Sequence, residues 1–208
     1  MELEDKISGL EKTIETLRMA LEGTIQTLTI VIGARDPYTT GHQRRVTDLA
    51  VSIAQEIGLP ENVVAGIRMA GLIHDIGKLA VPAEILCKPS KINDLEFQLI
   101  KTHPEVGYDI LKKIEFPWPI ADIVLQHHER MNGSGYPRKI KGPEILIEAK
   151  IINVADVVEA MASHRPYRPS LGIEKSLEQI SKNRGILYDD EVVDACLRLF
   201  REKRFKFA

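Results

Sequence analysis

Apolar residues recur at helical spacing along nearly the whole chain, and the spacing changes character near residue 35. Before that point Leu3, Ile7, Leu10, Ile14, Leu17 and Leu21 step by alternating fours and threes, and Leu28 and Val31 keep the phase. This is the a/d seam of a coiled coil, sustained for about four heptads. Glycine interrupts it only at Gly9 and Gly23. A single helix over residues 1–34 is predicted. The seam could serve to dock the helix on its own domain, but a surface helix seldom needs so long a strict one, so a parallel homodimer is the expectation.

Beyond Pro37 the stripes broaden to those of a globular core. Val46, Leu49, Ala50, Ile53, Ala54 and Ile57 share one face, and Gly58 closes the helix. Residues 63–73 form a second apolar helix that runs into His74-Asp75. Asn93 or Asp94 can cap a short helix carrying Leu95, Leu99 and Ile100. Pro104 suits the first position of a helix over about residues 103–114. Further helices are expected over residues 120–128, 145–163, 174–182 and 190–200. Residues 131–142 contain Gly133, Gly135, Pro137 and Gly142 and are read as a loop. No stretch alternates with period two for long enough to make a sheet. The expected fold is all-α, with one domain over residues 35–208 behind the N-terminal helix.

Composition narrows the function. The chain has 208 residues, 44% hydrophobic and 28% charged, with a formal net charge of −2. That balance supplies no field to recruit polymeric nucleic acid, so any attraction for phosphate must be local. The two cysteines, Cys87 and Cys196, are far apart and suit a reducing compartment. No apolar stretch approaches membrane length, and the acidic start lacks the basic region of a signal peptide. A cytoplasmic location is expected.

The chemistry lies in the histidines. Five of the six fall in short polar clusters: His42 after Gly41, His74-Asp75-Ile76-Gly77-Lys78, His103-Pro104, and His127-His128-Glu129. Asp156 falls on the predicted stripe of Ile145, Ala149, Ile152 and Ala160, where an unpaired carboxylate would cost several kcal/mol. A metal ion or an ion pair would explain it. His42 taken alone reads equally as a satisfied core histidine. Together, five imidazoles and two carboxylates are too many donors for one four-coordinate zinc. They are a natural number for two divalent ions sharing a carboxylate, the usual machinery of phosphate-ester cleavage.

The order and spacing of these clusters, with Gly135-Tyr136-Pro137 and Arg165-Pro166-Tyr167-Arg168, resemble the HD-GYP subfamily of HD-domain phosphohydrolases over about residues 34–200. The resemblance implies an HD-type helical bundle that hydrolyses cyclic di-GMP to linear pGpG, with a further step to GMP left open. It implies two divalent metal ions, iron or manganese ahead of zinc, nickel or magnesium. One ion would be held by His42, His74, Asp75 and Asp156, the other by His103, His127 and His128, with Asp75 bridging. Asp75 and Lys78 would then be catalytic, and Lys78, Tyr136, Arg165 and Arg168 would hold substrate. Taken without the resemblance, the two arginines read as a solvated loop. The chain departs from the usual motif at Asn132, Glu159 and His164, each in place of an Asp, and at Tyr38 in place of the Glu that members with a third metal use. Two alternatives stand beside this reading: a weak or inactive cyclic di-GMP receptor, and an HD-domain hydrolase of another nucleotide. The N-terminal seam implies an upstream sensor or receiver module outside this chain.

Overall fold

The computed structural model describes residues 2–35, 39–164 and 169–207. Among these residues the regular elements are all helices, joined by turns and loops, with one isolated bridge between Arg184 and Tyr188. In chain order the elements are α1 (Glu2–Arg35), α2 (Thr39–Ile57), α3 (Glu61–Ile73), a 3₁₀ turn (Ile76–Ala80), α4 (Ala83–Leu86), α5 (Asp94–Ile100), α6 (His103–Leu111), α7 (Ile120–Gln126), a second 3₁₀ turn (Gly142–Glu144), α8 (Ile147–Ala162), α9 (Ile173–Lys182) and α10 (Asp190–Arg201). The all-α expectation holds.

The centre of the bundle is α2, which packs against α3, α8 and α10. Its stripe of Val46, Leu49, Ala50, Ile53 and Ala54 is wholly buried and meets Ile67, Ala70 and Ile73 of α3, Ile152, Ala155 and Val158 of α8, and Val192 and Cys196 of α10 in one core. Each large aliphatic side chain so buried contributes about 1.5–3 kcal/mol. A second group, α6 with α7 and the first 3₁₀ turn, closes one side. Among the described residues no helix is long and apolar enough to cross a membrane.

Two helices end earlier than expected from the sequence. α6 stops at Leu111, where the Lys112 N–H bonds to the Tyr108 carbonyl, and Pro117 and Pro119 bar its continuation. α7 stops at Gln126, so His127 is its C-cap and His128 lies beyond it. α5 is capped as expected: the Asn93 side chain accepts from the Glu96 N–H, and the Glu96 carboxylate accepts from the Asn93 N–H. Its apolar residues Leu95, Phe97 and Leu99 are nevertheless exposed.

α1 is one helix, as predicted, and its last turns do rest on the domain. The contact is made by Ile25 and Thr29, both buried, and the Thr29 hydroxyl donates to the Leu72 carbonyl of α3. These residues sit one position beyond the heptad seam. Seam residues Ile7, Leu10, Ile14 and Leu17 all stay exposed, Ile14 and Leu17 at 65% each.

Candidate metal centre

Five helices, α2, α3, α6, α7 and α8, with the 3₁₀ turn that follows α3, deliver the seven predicted ligands to one place. His42 comes from α2, one turn ahead of the buried stripe. His74 is the C-cap of α3, and Asp75 opens the 3₁₀ turn. His103 begins α6, His127 and His128 follow α7, and Asp156 faces inward from α8. Donor atoms of His42, His74 and Asp75 lie within 4.8 Å of one another, as do those of His103, His127 and His128.

Asp75 joins the two groups. One carboxylate oxygen is 3.5 Å from His74 Nε2, and the other is 3.5 Å from His103 Nε2. The first oxygen also accepts from the Lys78 ammonium at 2.7 Å. Asp156 similarly reaches His42 Nε2 at 3.0 Å and stands 4.0 Å from His128 Nδ1. The approach of α6 to this turn depends on Gly77, because a side chain there would strike the His103 carbonyl.

Three of the imidazoles are oriented in the same way. Nδ1 of His74 donates to the Gly71 carbonyl at 2.7 Å, that of His103 to Ile100 at 2.7 Å and that of His127 to Val124 at 2.6 Å. Each bond reaches back three residues and fixes the proton on Nδ1, leaving a lone pair on Nε2. Burial, with further effects from charged neighbours, lowers the pKa of His103 to about 4 and of His127 to about 3, so both rings are neutral near pH 7. Their Nε2 atoms are only 3.2 Å apart. Neither carries a proton to share, so two lone pairs face each other inside the protein. A divalent cation held by His103 and His127 would turn that repulsion into coordinate bonds. Burial works against the charge on Asp75 and Asp156 as well. For Asp75 the Lys78 ammonium and the nearby histidines more than offset it, and for Asp156 His42 does so. The donor set fits divalent cations.

His42 is oriented differently, by a residue that sequence reasoning noted only as a departure from a motif. Its Nδ1 bonds to Glu159. Glu159 is fully buried and accepts from Arg45 Nε at 2.8 Å and from the Ser163 hydroxyl at 2.6 Å. Burial opposes its ionisation, but these donors hold its pKa down at about 2. The available signal was its position: Glu159 is three residues after Asp156, on the same inward face of α8.

The Gly135-Tyr136-Pro137 loop closes the centre. The Glu129 carboxylate accepts from the Arg138 and Lys139 N–H groups at 2.7 and 3.0 Å. Gly135 lies against the Glu129 backbone, leaving no room for a side chain. Tyr136 thereby sits over His128, ring centres 4.7 Å apart, and burial raises its pKa. Asn153 ties the floor, donating to the His127 carbonyl at 2.6 Å and accepting from Arg130 at 2.7 Å. Lys78 is beside the centre, paired with Asp75. Arg165, Arg168 and Tyr38 lie outside the described residues.

Comparison with known proteins agrees with the fold and the order of the motifs. The family profile described as HD domain matches residues 26–192. The chain is 39% identical to a cyclic di-GMP phosphodiesterase of Thermotoga maritima, over 96% of this chain and 56% of that protein. It is 40% identical to the cyclic di-GMP phosphodiesterase response regulator RpfG of Xanthomonas campestris pv. campestris, over 84% of this chain and 47% of that one. It therefore spans about half the length of these curated relatives. Among solved structures, a Vibrio cholerae phosphodiesterase described as cyclic GMP-AMP specific superposes with a TM-score of 0.66, at 19% identity over 86% of this chain and 49% of that one. Fold, motif order and relatives agree: the chain belongs to the HD-domain family and carries the motifs of its HD-GYP branch.

Proposed function

We propose that this chain is a metal-dependent phosphodiesterase that hydrolyses cyclic di-GMP to linear pGpG, with GMP as a further product. The observation that carries the reading is the pair of facing, unprotonated Nε2 atoms of His103 and His127 beside a carboxylate with one oxygen toward each histidine group. His42, His74, Asp75 and Asp156 would hold one divalent cation, and His103, His127 and His128 the other, with Asp75 shared. Iron or manganese suits this mixed imidazole and carboxylate set. When bound, such a pair neutralises phosphoryl oxygens and acidifies water enough for in-line attack near neutral pH.

The chain's own groups then divide the remaining work. Asp75 keeps its charge because Lys78 is beside it, and the Lys78 ammonium can turn from the carboxylate to a non-bridging phosphate oxygen. Tyr136 covers His128 and shields that side from bulk water. Arg165 and Arg168 would complete the phosphate clamp, since a guanidinium can donate two parallel hydrogen bonds to phosphate. Residues 35–208 form the hydrolase domain. Residues 1–34 link it, as a parallel dimer, to an upstream receiver or sensor. The two free thiols suit a cytoplasmic setting.

The test is to purify the protein without added metal, measure bound iron, manganese and zinc, and follow cyclic di-GMP and cyclic GMP-AMP in parallel by chromatography. About two metals per chain and accumulation of pGpG are expected. Metal-loaded protein that binds cyclic di-GMP without consuming either dinucleotide would make it a receptor instead.

A further inference from the structure

α5 is held firmly yet turns its largest side chain outward. Its start carries the Asn93–Glu96 capping box, and Lys88 pairs with Glu96 at 2.7 Å. Phe97 nevertheless remains 47% exposed. A single exposed apolar residue is ordinary, but this one belongs to a construction. Its ring meets Tyr136 edge to face, centres 6.5 Å apart at 81°. Tyr136 in turn lies on His128, a member of the metal centre, with a tilt of 33°. The Lys101 ammonium is 5.2 Å from the centre of the Phe97 ring and 6.0 Å from that of Tyr136. An aromatic wall therefore leads outward from the candidate metals, with a cation at its joint.

The chemistry that such a wall recognises is a flat heterocycle with acceptors on its edge. Bases stack on aromatic rings whatever their identity, and lysine donates to the O6 and N7 acceptors of guanine. We propose that Phe97 stacks a purine base of the substrate and that Lys101 donates to that base's acceptor edge, so that this wall positions the scissile phosphate against the metals. The inference deepens the cyclic-dinucleotide phosphodiesterase reading and rests on it. Phe97 belongs to no sequence motif and stands out only where the fold sets it beside Tyr136.

The experiment compares kcat/KM for cyclic di-GMP with kcat/KM for bis(p-nitrophenyl) phosphate, a diester with no purine, on metal-loaded full-length protein. The ratio of the two should fall about tenfold in Phe97→Ala and Phe97→Leu, and stay within about twofold in Phe97→Trp. Lys101→Ala should lower it about fivefold, through KM. Leu95→Ala, exposed on the same helix but away from these ring contacts, should leave both substrates at wild-type values. Should Phe97→Ala fold poorly in a thermal melt, the Leu and Trp variants still separate stacking from plain apolar filling. A Phe97→Leu protein with the wild-type ratio overturns the stacking. Equal losses in Leu95→Ala and Phe97→Ala overturn it too, because Leu95 takes no part in the ring contacts. If the wild type hydrolyses neither diester, the phosphodiesterase reading fails and takes the wall with it. If it hydrolyses both and Phe97→Ala keeps the ratio, only the wall fails.

Discussion

Two helices with a regular apolar rhythm, α1 and α2, meet opposite fates. In α2 the apolar face is broad, with Val46, Leu49, Ala50, Ile53 and Ala54 covering two adjoining rows, and every one is buried against α3, α8 or α10. In α1 the seam is narrow, two positions in seven, and Ile14 and Leu17 remain mostly in solvent. A broad stripe can be covered by several neighbouring helices of the same chain, whereas a strict seam suits a single partner helix. On the dimer proposal, the width of an apolar face, more than its hydrophobicity, would mark whether its partner lies inside the chain. The polar interruption of a broad face is also informative: His42 heads the buried stripe of α2, and there the fold places chemistry where packing would be expected.

That contrast is open to direct attack, first at the centre. Asp75→Ala removes the carboxylate that stands between the two histidine groups. It should abolish turnover and cost both metals, a larger loss than the ten- to hundredfold that follows removal of an outer hydrogen-bonding partner. Metal analysis and kinetics on one preparation decide it; an unchanged metal count in Asp75→Ala removes the shared-carboxylate assignment.

The helices themselves come next. Ile53→Ala in α2 deletes fully buried methyl groups and should destabilise the domain by about 2–5 kcal/mol in denaturant unfolding. Replacing both Ile14 and Leu17 by Asn touches no such core, so the melting of the isolated chain should barely move. The paired change should instead convert a dimer to a monomer by light scattering at tens of micromolar. A wild-type chain that is already monomeric there would leave the α1 seam without its proposed partner.

Smaller still are the expected effects of Arg165→Ala and Arg168→Ala. A charge-assisted contact to phosphate is worth roughly 1.5–3 kcal/mol, so each should lower kcat/KM about ten- to a hundredfold with full metal occupancy. Wild-type values in both would return these arginines to the solvated loop that their sequence alone suggests.

Much of this site was legible because histidine is scarce. Five of six histidines sitting in short clusters with Asp75 and Asp156 could be read as one constellation before any fold was known. What the sequence hid was direction. Nothing in it says that the Nδ1 atoms of His74, His103 and His127 each turn back to a carbonyl three residues earlier, since that depends on where α3, α6 and α7 begin and end. Helix ends also differ from the expectation at residues 112–114, where Ile114 prolongs the apolar spacing beyond Leu111, and at residues 127–128, where no proline or glycine marks the stop after Gln126. Docking of α1 through Ile25 and Thr29 was obscured by its nearness to the seam, one position away on the same helix. Phe97 and Glu159 acquire meaning only from neighbours distant in sequence, Tyr136 and His42.

Glu159 gives the mildest test, and the one closest to the contrast between packing and chemistry. It is as buried as any core residue of α8, yet it carries a charge satisfied by His42, Arg45 and Ser163. Its carboxylate accepts on both oxygens, from the His42 Nδ1–H on one side and from the Arg45 guanidinium on the other. A glutamine has one accepting end. With its oxygen toward His42, its amide protons oppose those of Arg45; turned round, they oppose the Nδ1–H of His42. Glu159→Gln should therefore release the ring of His42 and weaken metal binding about tenfold, the low end for loss of a partner that orients a ligand. Glu159→Asp keeps two accepting oxygens on a shorter arm and should fall between Gln and wild type. Chelator competition measures metal affinity without relying on turnover, and a thermal melt of the metal-free protein separates orientation from simple packing loss. If Glu159→Gln binds metal as tightly as wild type and differs only in melting temperature, this carboxylate serves the core of α8 and not the metal centre.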